Sequence, residues 1–348
     1  LSAWYHIVLA VDTTQATEAD RIKLYVNGTQ ETDFSTETYM SQNADTDVSG
    51  THTVGAFDNG GSETSFLDGY LAHYHFTDGY TYAASTFGQS DSTTGIWKPI
   101  TSPSVTYGTN GFFLKFQDSS NFGDDSSGNT NDLTKSGTII KSPDTPSNNF
   151  PTMDLNMNFV NKSAAEHNSG GLVVGGATGD YSSAASMAVK TGKWYWELKL
   201  LNASNTRNIG IVRTDKLFSS SADGFYIGHP STSITPFTVG LHLIDGIVRQ
   251  RNANTTTTTS STTGTTNDIF GIALYLTSAT QTIGFYKNGS LNVTVNLDSG
   301  FSGYYIVPAT RTDTNQDIAY NFGSGYFQTT AVASSNSDAN GIGLFEYP

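Results

Sequence analysis

The chain contains no cysteine, which excludes disulfides, thiolate metal sites and cysteine nucleophiles, and gives no vote for an oxidising compartment. Charge is scarce too: Asp, Glu, Lys and Arg make up 14% of 348 residues, and only seven are glutamate. No stretch keeps Leu, Ala, Glu or Lys at helical spacing, so long amphipathic helices are not expected. No apolar run approaches the roughly 20 residues of a membrane-spanning helix, and no signal peptide is read in the stretch given. A Gly-rich phosphate loop, a defensible Ser-His-Asp spacing and a basic aromatic stripe for nucleic acid are all missing. Positive charge is in shortest supply: 17 basic side chains stand against 31 acidic ones, for a net charge of −14. Such a surface repels phosphate backbones and anionic membranes, so neither nucleic acid nor membrane is an expected partner. It suits a protein that stays soluble in salt water or gathers cations.

What is present is Thr, Ser, Gly, Asn, Tyr and Phe, with aromatics at 12%, a composition that favours β structure. One pattern is written twice, as RIKLYVNGT at 21–29 and TIGFYKNGS at 282–290. In the first, Ile22, Leu24 and Val26 alternate with Lys23, Tyr25 and Asn27, as a half-buried strand requires, and Asn-Gly supplies the two positive-φ positions of a type I′ turn. Both stretches therefore read as β-hairpins. At about 100–200 residues per domain the length fits two domains. Residues 4–76 read as an antiparallel meander, and residues 91–150 as an irregular linker with one strand, GFFLKF, and an Asp/Gly-rich loop. From Lys193 onward short strands recur with Gly and Asn turns, the pattern of a β-sandwich. The low-complexity run TTTTTSSTTGTT at 255–266 reads as a solvated loop or extended strand tips. The chain opens directly into a strand without an initiator Met, from which we expect residues before Leu1.

WYHIVLAVDTTQATEADRIKLYVNG followed by FLDGYLAHYHFTDG resembles the second half of a laminin-G, concanavalin-A-like lectin domain, with matches at Trp4, His6, Tyr25, Asn27, Gly28 and Gly69. The resemblance implies that residues 1–90 form a sandwich whose N-terminal half is missing from the sequence. GKWYWELKLL, NIGIV, GFYIG, DIFGIALYLTSATQTIGFYKNGS and YYIVPATRT with IAYNFGSGYF resemble a SPRY domain over 151–348. Its matches are Trp194, Tyr195, Trp196, Glu197, Gly271, Phe285, Asn288, Gly289, Pro308, Asn321, Phe322 and Gly323. The segments between them look like the joining region of large structural proteins of marine bacteriophages. Together these resemblances imply an all-β chain of two concanavalin-A-like antiparallel β-sandwiches of jelly-roll type, in a virion protein.

Several clusters are candidate sites. Glu31 and Asp33 are the closest acid pair on a strand, the minimum for glycoside hydrolysis, although a solvated face past a hairpin accounts for them equally. Glu197 sits between aromatics, and its SPRY counterpart is structural. His73 and His75 share a strand face at a spacing that can hold a transition metal, or else are outward polar residues beside an aromatic core. Asp118, Asp124, Asp125 and Asn129 offer hard oxygen ligands of the type calcium takes, in a loop that is also ordinary turn chemistry. In the SPRY-like half the family's ligand surface is formed by loops at one sandwich edge, which nominates Arg213, Asp215, Tyr226, His229 and Arg249 for carbohydrate. The expected function is a non-enzymatic phage structural protein, in a tail fibre or exposed appendage of the virion. It would bind host-surface glycans or neighbouring virion subunits through sandwich loops, as a homo-oligomer, with a trimer in keeping with fibres. The alternatives are a capsid-surface fibre or decoration protein without a receptor role, a polysaccharide depolymerase, and a bacterial extracellular adhesin.

Overall fold

The computed structural model describes residues 4–46, 50, 52–92, 95–154, 165–168, 171–176, 181–202, 207–217, 227–228, 237–252, 255–277, 279–312 and 317–347. Among these residues the named strands pair antiparallel, with one isolated parallel bridge between Ser324 and Leu344, and helical structure is confined to short 3-10 turns such as Glu18–Asp20 and Ser299–Phe301. No helix among them is long and apolar enough to cross a membrane. The all-β antiparallel class expected from the sequence is the one found. The chain divides into two compact units, 3–149 and 150–348.

The repeated hairpin is the same device in both units. Asn27 and Gly28 have φ of 49° and 80°, and Asn288 and Gly289 have 48° and 80°, the two positive-φ positions of a type I′ turn. In each case the asparagine also reaches back to the neighbouring strand. Asn27 N donates to His6 O while His6 N donates to Asn27 Oδ1, at 2.8 and 2.9 Å. Asn288 does the same with Ile269, again at 2.8 and 2.9 Å. An aromatic ring then lies against each glycine, Trp97 on Gly28 and Tyr347 on Gly289. The shared geometry aligns Ile7–Val11 and Ile22–Val26 with Ile269–Tyr275 and Thr282–Lys287, position for position: Ile7 pairs with Val26 as Phe270 pairs with Lys287.

Beside the second hairpin Asp268 accepts hydrogen bonds from the Thr265 backbone and hydroxyl and from Asn288 Nδ2, and pairs with Lys287 Nζ at 2.9 Å. Desolvation pushes this carboxyl up, but the hydrogen bonds from Lys287, Asn288 and Thr265 together outweigh it and hold the group at about 2. A carboxyl held below its unfolded value of about 3.9 contributes stability that is complete above that value and lost as pH falls toward about 2. Asp268→Asn is therefore expected to lose about 2 kcal/mol at neutral pH. It should also flatten that part of the acid limb in urea unfolding curves measured across the same pH range.

In the C-terminal unit two seven-stranded sheets form the sandwich. One runs Ala165–Asn168, Val173–Gly176, Ile318–Asn321, Lys193–Leu200, Ile269–Tyr275, Thr282–Lys287, Ser290–Asn296. The other runs Met153–Asp154, Tyr181–Ala185, Ile306–Thr312, Arg207–Arg213, Thr238–His242, Ile247–Arg251, Thr256–Ser260. Period-two alternation builds the core: Trp196, Leu198, Phe270, Ile272, Leu274, Ile283 and Phe285 from the first sheet, and Ile209, Ile211, Val239 and Leu241 from the second, all buried. The threonine run, read from the sequence as loop or strand tips, supplies the edge strand Thr256–Ser260 of the second sheet, and every one of its side chains is exposed.

In the N-terminal unit Ile7–Val11, Ile22–Val26 and Thr29–Gln30 make a three-stranded sheet. Two-stranded ribbons accompany it. Tyr74–Phe76 pairs with Phe112–Leu114, and Gly88–Ser90 with Trp97–Pro99, so residues 91–149 are packed within this unit.

Candidate functional site

The outer face of the second sheet of the C-terminal unit carries an unusual set of buried polar side chains. Cross-strand register sets Ser182 opposite Arg311, Arg311 opposite Asn208, and Asn208 opposite His242. These residues are between 0% and 6% exposed, a depth at which polar groups must be hydrogen-bonded. Two residues along lies a row of small residues: Ala184 opposite Ala309, Ala309 opposite Gly210, Gly210 opposite Gly240, ending at Arg249. Alternation puts both rows on the face away from Ile209, Ile211 and Leu241. The result is a shallow trough flanked by polar groups.

Part of the chain itself lies in that trough. Asn208 Nδ2 donates to Ile227 O, and Arg249 NH1 donates to Gly228 O at 3.2 Å. Gly228 has φ +60°, and a Cβ on Gly240 would stand 2.8 Å from Gly228 N, so glycine at both places allows backbone to lie on backbone. Arg249 also binds Asp245 through NH1 and NH2, at 3.3 and 2.6 Å, and Asp245 stands 2.9 Å from His242 Nδ1. Desolvation raises the Asp245 carboxyl, but the hydrogen bonds from Arg249 and His242 win and hold it below the ordinary carboxylate range.

At the far end of strand Arg207–Arg213, Arg213 is 5% exposed and fully engaged. Nε and NH2 donate to the two Asp215 carboxylate oxygens at 2.9 and 2.7 Å, and NH1 donates to Gly300 O at 2.6 Å. Its guanidinium lies 4.0 Å from the Phe237 ring centroid and 3.4 Å from that of Tyr304. The Arg213 hydrogen bonds hold the Asp215 carboxyl below its ordinary value. Lysine has neither the planar fork nor the flat face this setting uses. Arg213→Lys is expected to cost about 2 kcal/mol in thermal or urea unfolding, and a loss under about 0.5 kcal/mol would contradict this account.

Of the five residues nominated for carbohydrate, the structure thus joins Arg213 to Asp215 and turns Arg249 inward to Asp245. Three residues along and two strands across separate the two arginines by roughly 14 Å, so they do not share one site. Tyr226 and His229 lie outside the described residues. Asn208, His242, Asp245, Arg311 and Ser182 were missed. Their signal is the polar residue at alternate positions of apolar strands, as in RNIGIVR and TVGLH.

The other candidates also change meaning. Asp125 accepts from Phe113 N, Ser127 N, Ser127 Oγ and Asn131 N, and Asp118 accepts from the Ser120 N–H and hydroxyl. Asn129 turns its Nδ2 donor to Gly108 O and Gly111 O, and Asp124 is exposed. Donors on both carboxylate oxygens make Asp125 a staple for its own loop, and Asp118 caps the turn at Ser120 through Oδ1. Among the described residues no group of three or more His, Asp or Glu side chains is placed to hold a metal.

His75 is not an outward residue: it stacks on Phe113 with centroids 3.9 Å apart, and its Nδ1 lies 2.9 Å from the Tyr107 hydroxyl. Burial, then the charges of His73 and His6, push it down to about 3, which keeps it neutral. His73 precedes the strand at φ 51°. Glu31 and Asp33 follow the end of strand Thr29–Gln30 and are exposed, so strand alternation does not put them on one face.

Glu197 is fully buried and structural. It accepts from Tyr195 OH and Tyr347 N through Oε1, at 3.1 and 2.9 Å, and from Asn321 Nδ2 and Glu346 N through Oε2, at 3.3 and 2.8 Å. Burial pushes its carboxyl up by more than these donors pull it down.

No known family's sequence profile matches the chain, and no curated protein does. Among solved structures it is similar to the SPRY domain of human HERC1 at 14% identity and a TM-score of 0.38, over 48% of this chain and 96% of that one. A human SPRY domain is similar at 16% identity and 0.33, over 43% and 91%. The TRIM65 PSpry domain is similar at 12% identity and 0.38, over 49% and 88%.

Proposed function

We propose that the chain is a non-enzymatic structural protein of a phage particle, part of a tail fibre or exposed appendage, that binds host-surface glycan through the edge of its C-terminal sandwich. The placement in a phage rests on the sequence resemblance; the mode of binding rests on the edge itself. Thr256–Ser260 presents five exposed hydroxyl side chains, and the facing edge strand Ser290–Asn296 adds exposed Ser290, Asn292, Thr294 and Asn296. Hydroxyls and amides both donate and accept, as sugar hydroxyls require, and the absence of charge on these two strands suits a neutral ligand. Three arginine and lysine side chains of the same unit, by contrast, are turned to carboxylates of the chain itself: Arg213 to Asp215, Arg249 to Asp245 and Lys287 to Asp268.

The experiment is binding of the purified chain to host cells and to a glycan array, with Thr257, Thr259 and Asn292 changed together to alanine. A loss of tenfold or more with an unchanged unfolding curve is expected. Binding that survives the triple change, or an intact chain that binds neither cells nor glycans, overturns the glycan reading and favours a purely architectural role. Reducing ends released from host polysaccharide and abolished by Glu31→Gln would instead establish a depolymerase.

A further inference from the structure

The step Asn-Gly occurs five times in the chain, at 27–28, 59–60, 110–111, 288–289 and 340–341. At such a step the backbone can attack the asparagine side chain, because glycine carries no Cβ to shield its own N–H. The local sequence makes all five alike, and the structure separates them. Attack requires a carboxamide able to turn its Cγ onto the nitrogen of the next residue, and at four steps that movement is blocked. Asn27 and Asn288 are left-handed, and each Oδ1 accepts a strand N–H at 2.9 Å, from His6 and Ile269, while the rings of Trp97 and Tyr347 lie on the glycines. Asn288 Nδ2 also donates to Asp268 Oδ1 at 2.9 Å. Asn110 Nδ2 donates to Asp78 Oδ2 at 2.9 Å, and Gly111 is buried. Asn340 hydrogen-bonds the Asp338 carboxylate through its side chain, and Gly341 N is already given to Asp338 O at 2.9 Å.

Asn59 differs on every count. It stands at the tip of the ribbon that pairs Phe57–Asp58 with Glu63–Thr64, exposed together with Gly60 and Gly61. The tip is closed by Asn59 N donating to Ser62 O at 3.0 Å and Gly61 N donating to Asp58 Oδ1 at 2.7 Å. Neither bond uses the reacting groups: among the described residues the Asn59 carboxamide and the Gly60 N–H have no partner. Nothing lies within 4 Å of where a Cβ on Gly60 would stand. We propose that Asn59 is a self-modification site, converted to aspartate and isoaspartate through a cyclic imide formed with Gly60. Gly60 N attacks Asn59 Cγ, the Cγ–Nδ2 bond breaks, and the amide proton leaves with Nδ2 as ammonia. Water then opens the ring: at Cγ it restores the main chain and leaves aspartate, and at the main-chain carbonyl it leaves isoaspartate. One water enters and one ammonia departs, with no redox step. The product carries a new carboxylate beside Asp58, on a chain already at net −14, and isoaspartate lengthens the main chain at the point where Asn59 N meets Ser62 O. The inference does not draw on the glycan reading above.

The test is peptide mapping by mass spectrometry on the intact chain aged in mildly alkaline heavy-oxygen water, once folded and once in urea. In the folded chain Asn59 is expected to convert about tenfold or more faster than Asn27, Asn110, Asn288 and Asn340, because those four react only when their turns open. In urea the five rates should converge to within about threefold, since the bonds that separate them are gone. Heavy oxygen in the new carboxylate marks ring opening by water during ageing. Asn59→Gln is expected to abolish the first acidic species that anion exchange resolves from the aged chain, with the unfolding curve unchanged. A folded chain in which Asn59 is as slow as the other four, a lead for Asn59 that persists in urea, or an acidic species that survives Asn59→Gln overturns the proposal.

Discussion

Glu197→Ala is expected to destabilise the protein by about 3–5 kcal/mol, because it strands two backbone N–H groups, a tyrosine hydroxyl and an amide where water does not reach. The carboxylate joins strand Lys193–Leu200 to residues 346 and 347, about 150 positions later in the chain, with help from Asn321, whose Nδ2 also donates to Leu344 O at 2.9 Å. Together these bonds hold the C-terminal segment over the outer face of the first sheet, where Tyr347 packs against the cluster of Val173, Ile269, Ala319, Phe327 and Val332. Glu197→Gln keeps one acceptor oxygen but sets an NH2 against donors, so roughly half the loss should remain. Urea unfolding measures the total. Hydrogen exchange at the Glu346 and Tyr347 amides locates it, and both should speed up in Glu197→Ala well before global unfolding. A stability change under about 1 kcal/mol would mean that the segment is held by Tyr347 and Phe345 packing alone.

Gly28→Ala and Gly289→Ala should each cost about 2–4 kcal/mol, from two sources that act together. At φ +80° a Cβ is strained whatever the space, and the space is already taken by a ring, that of Trp97 at Gly28 and that of Tyr347 at Gly289, where the closest ring atom would be 2.6 Å away. The two causes separate in a cycle. If the ring matters, Gly28→Ala with Trp97→Ala costs less than the sum of the single changes, by about 1 kcal/mol or more; strict additivity would leave backbone strain as the whole effect. Because Tyr347 belongs to the segment that Glu197 holds, Gly289→Ala is also expected to accelerate exchange at the Tyr347 amide, which Gly28→Ala should leave unchanged.

Much of the architecture was legible before any coordinates. Alternation in RIKLYVNG and TIGFYKNG named strands, and Asn-Gly named their turns, because both signals depend only on neighbours a few residues apart. The threonine run was harder to read. Thr256–Ser260 lacks apolar alternation because it is an edge strand with both faces open, and strand formation there comes from pairing with Ile247–Arg251. The loop at 118–129 misled for a related reason. Acidic and amide residues in a turn look alike whether they face a cation or their own backbone, and only the positions of Phe113 N and Asn131 N distinguish the two. His73 and His75 share a parity that predicts one face, but a left-handed backbone at His73 starts the strand one residue later.

The sequence by itself determined the β class, the two equivalent hairpins and the aliphatic alternation of their strands, since side-chain parity and turn conformation are local properties of the chain. Tertiary structure alone decided which polar groups meet. Arg249 with Asp245 and a backbone loop, Glu197 with the C-terminal segment, and Ser182, Arg311, Asn208 and His242 in one buried row are products of register between strands distant in sequence. Register is chosen by the packing of whole sheets, because a slip of one residue would turn every core side chain to the outside.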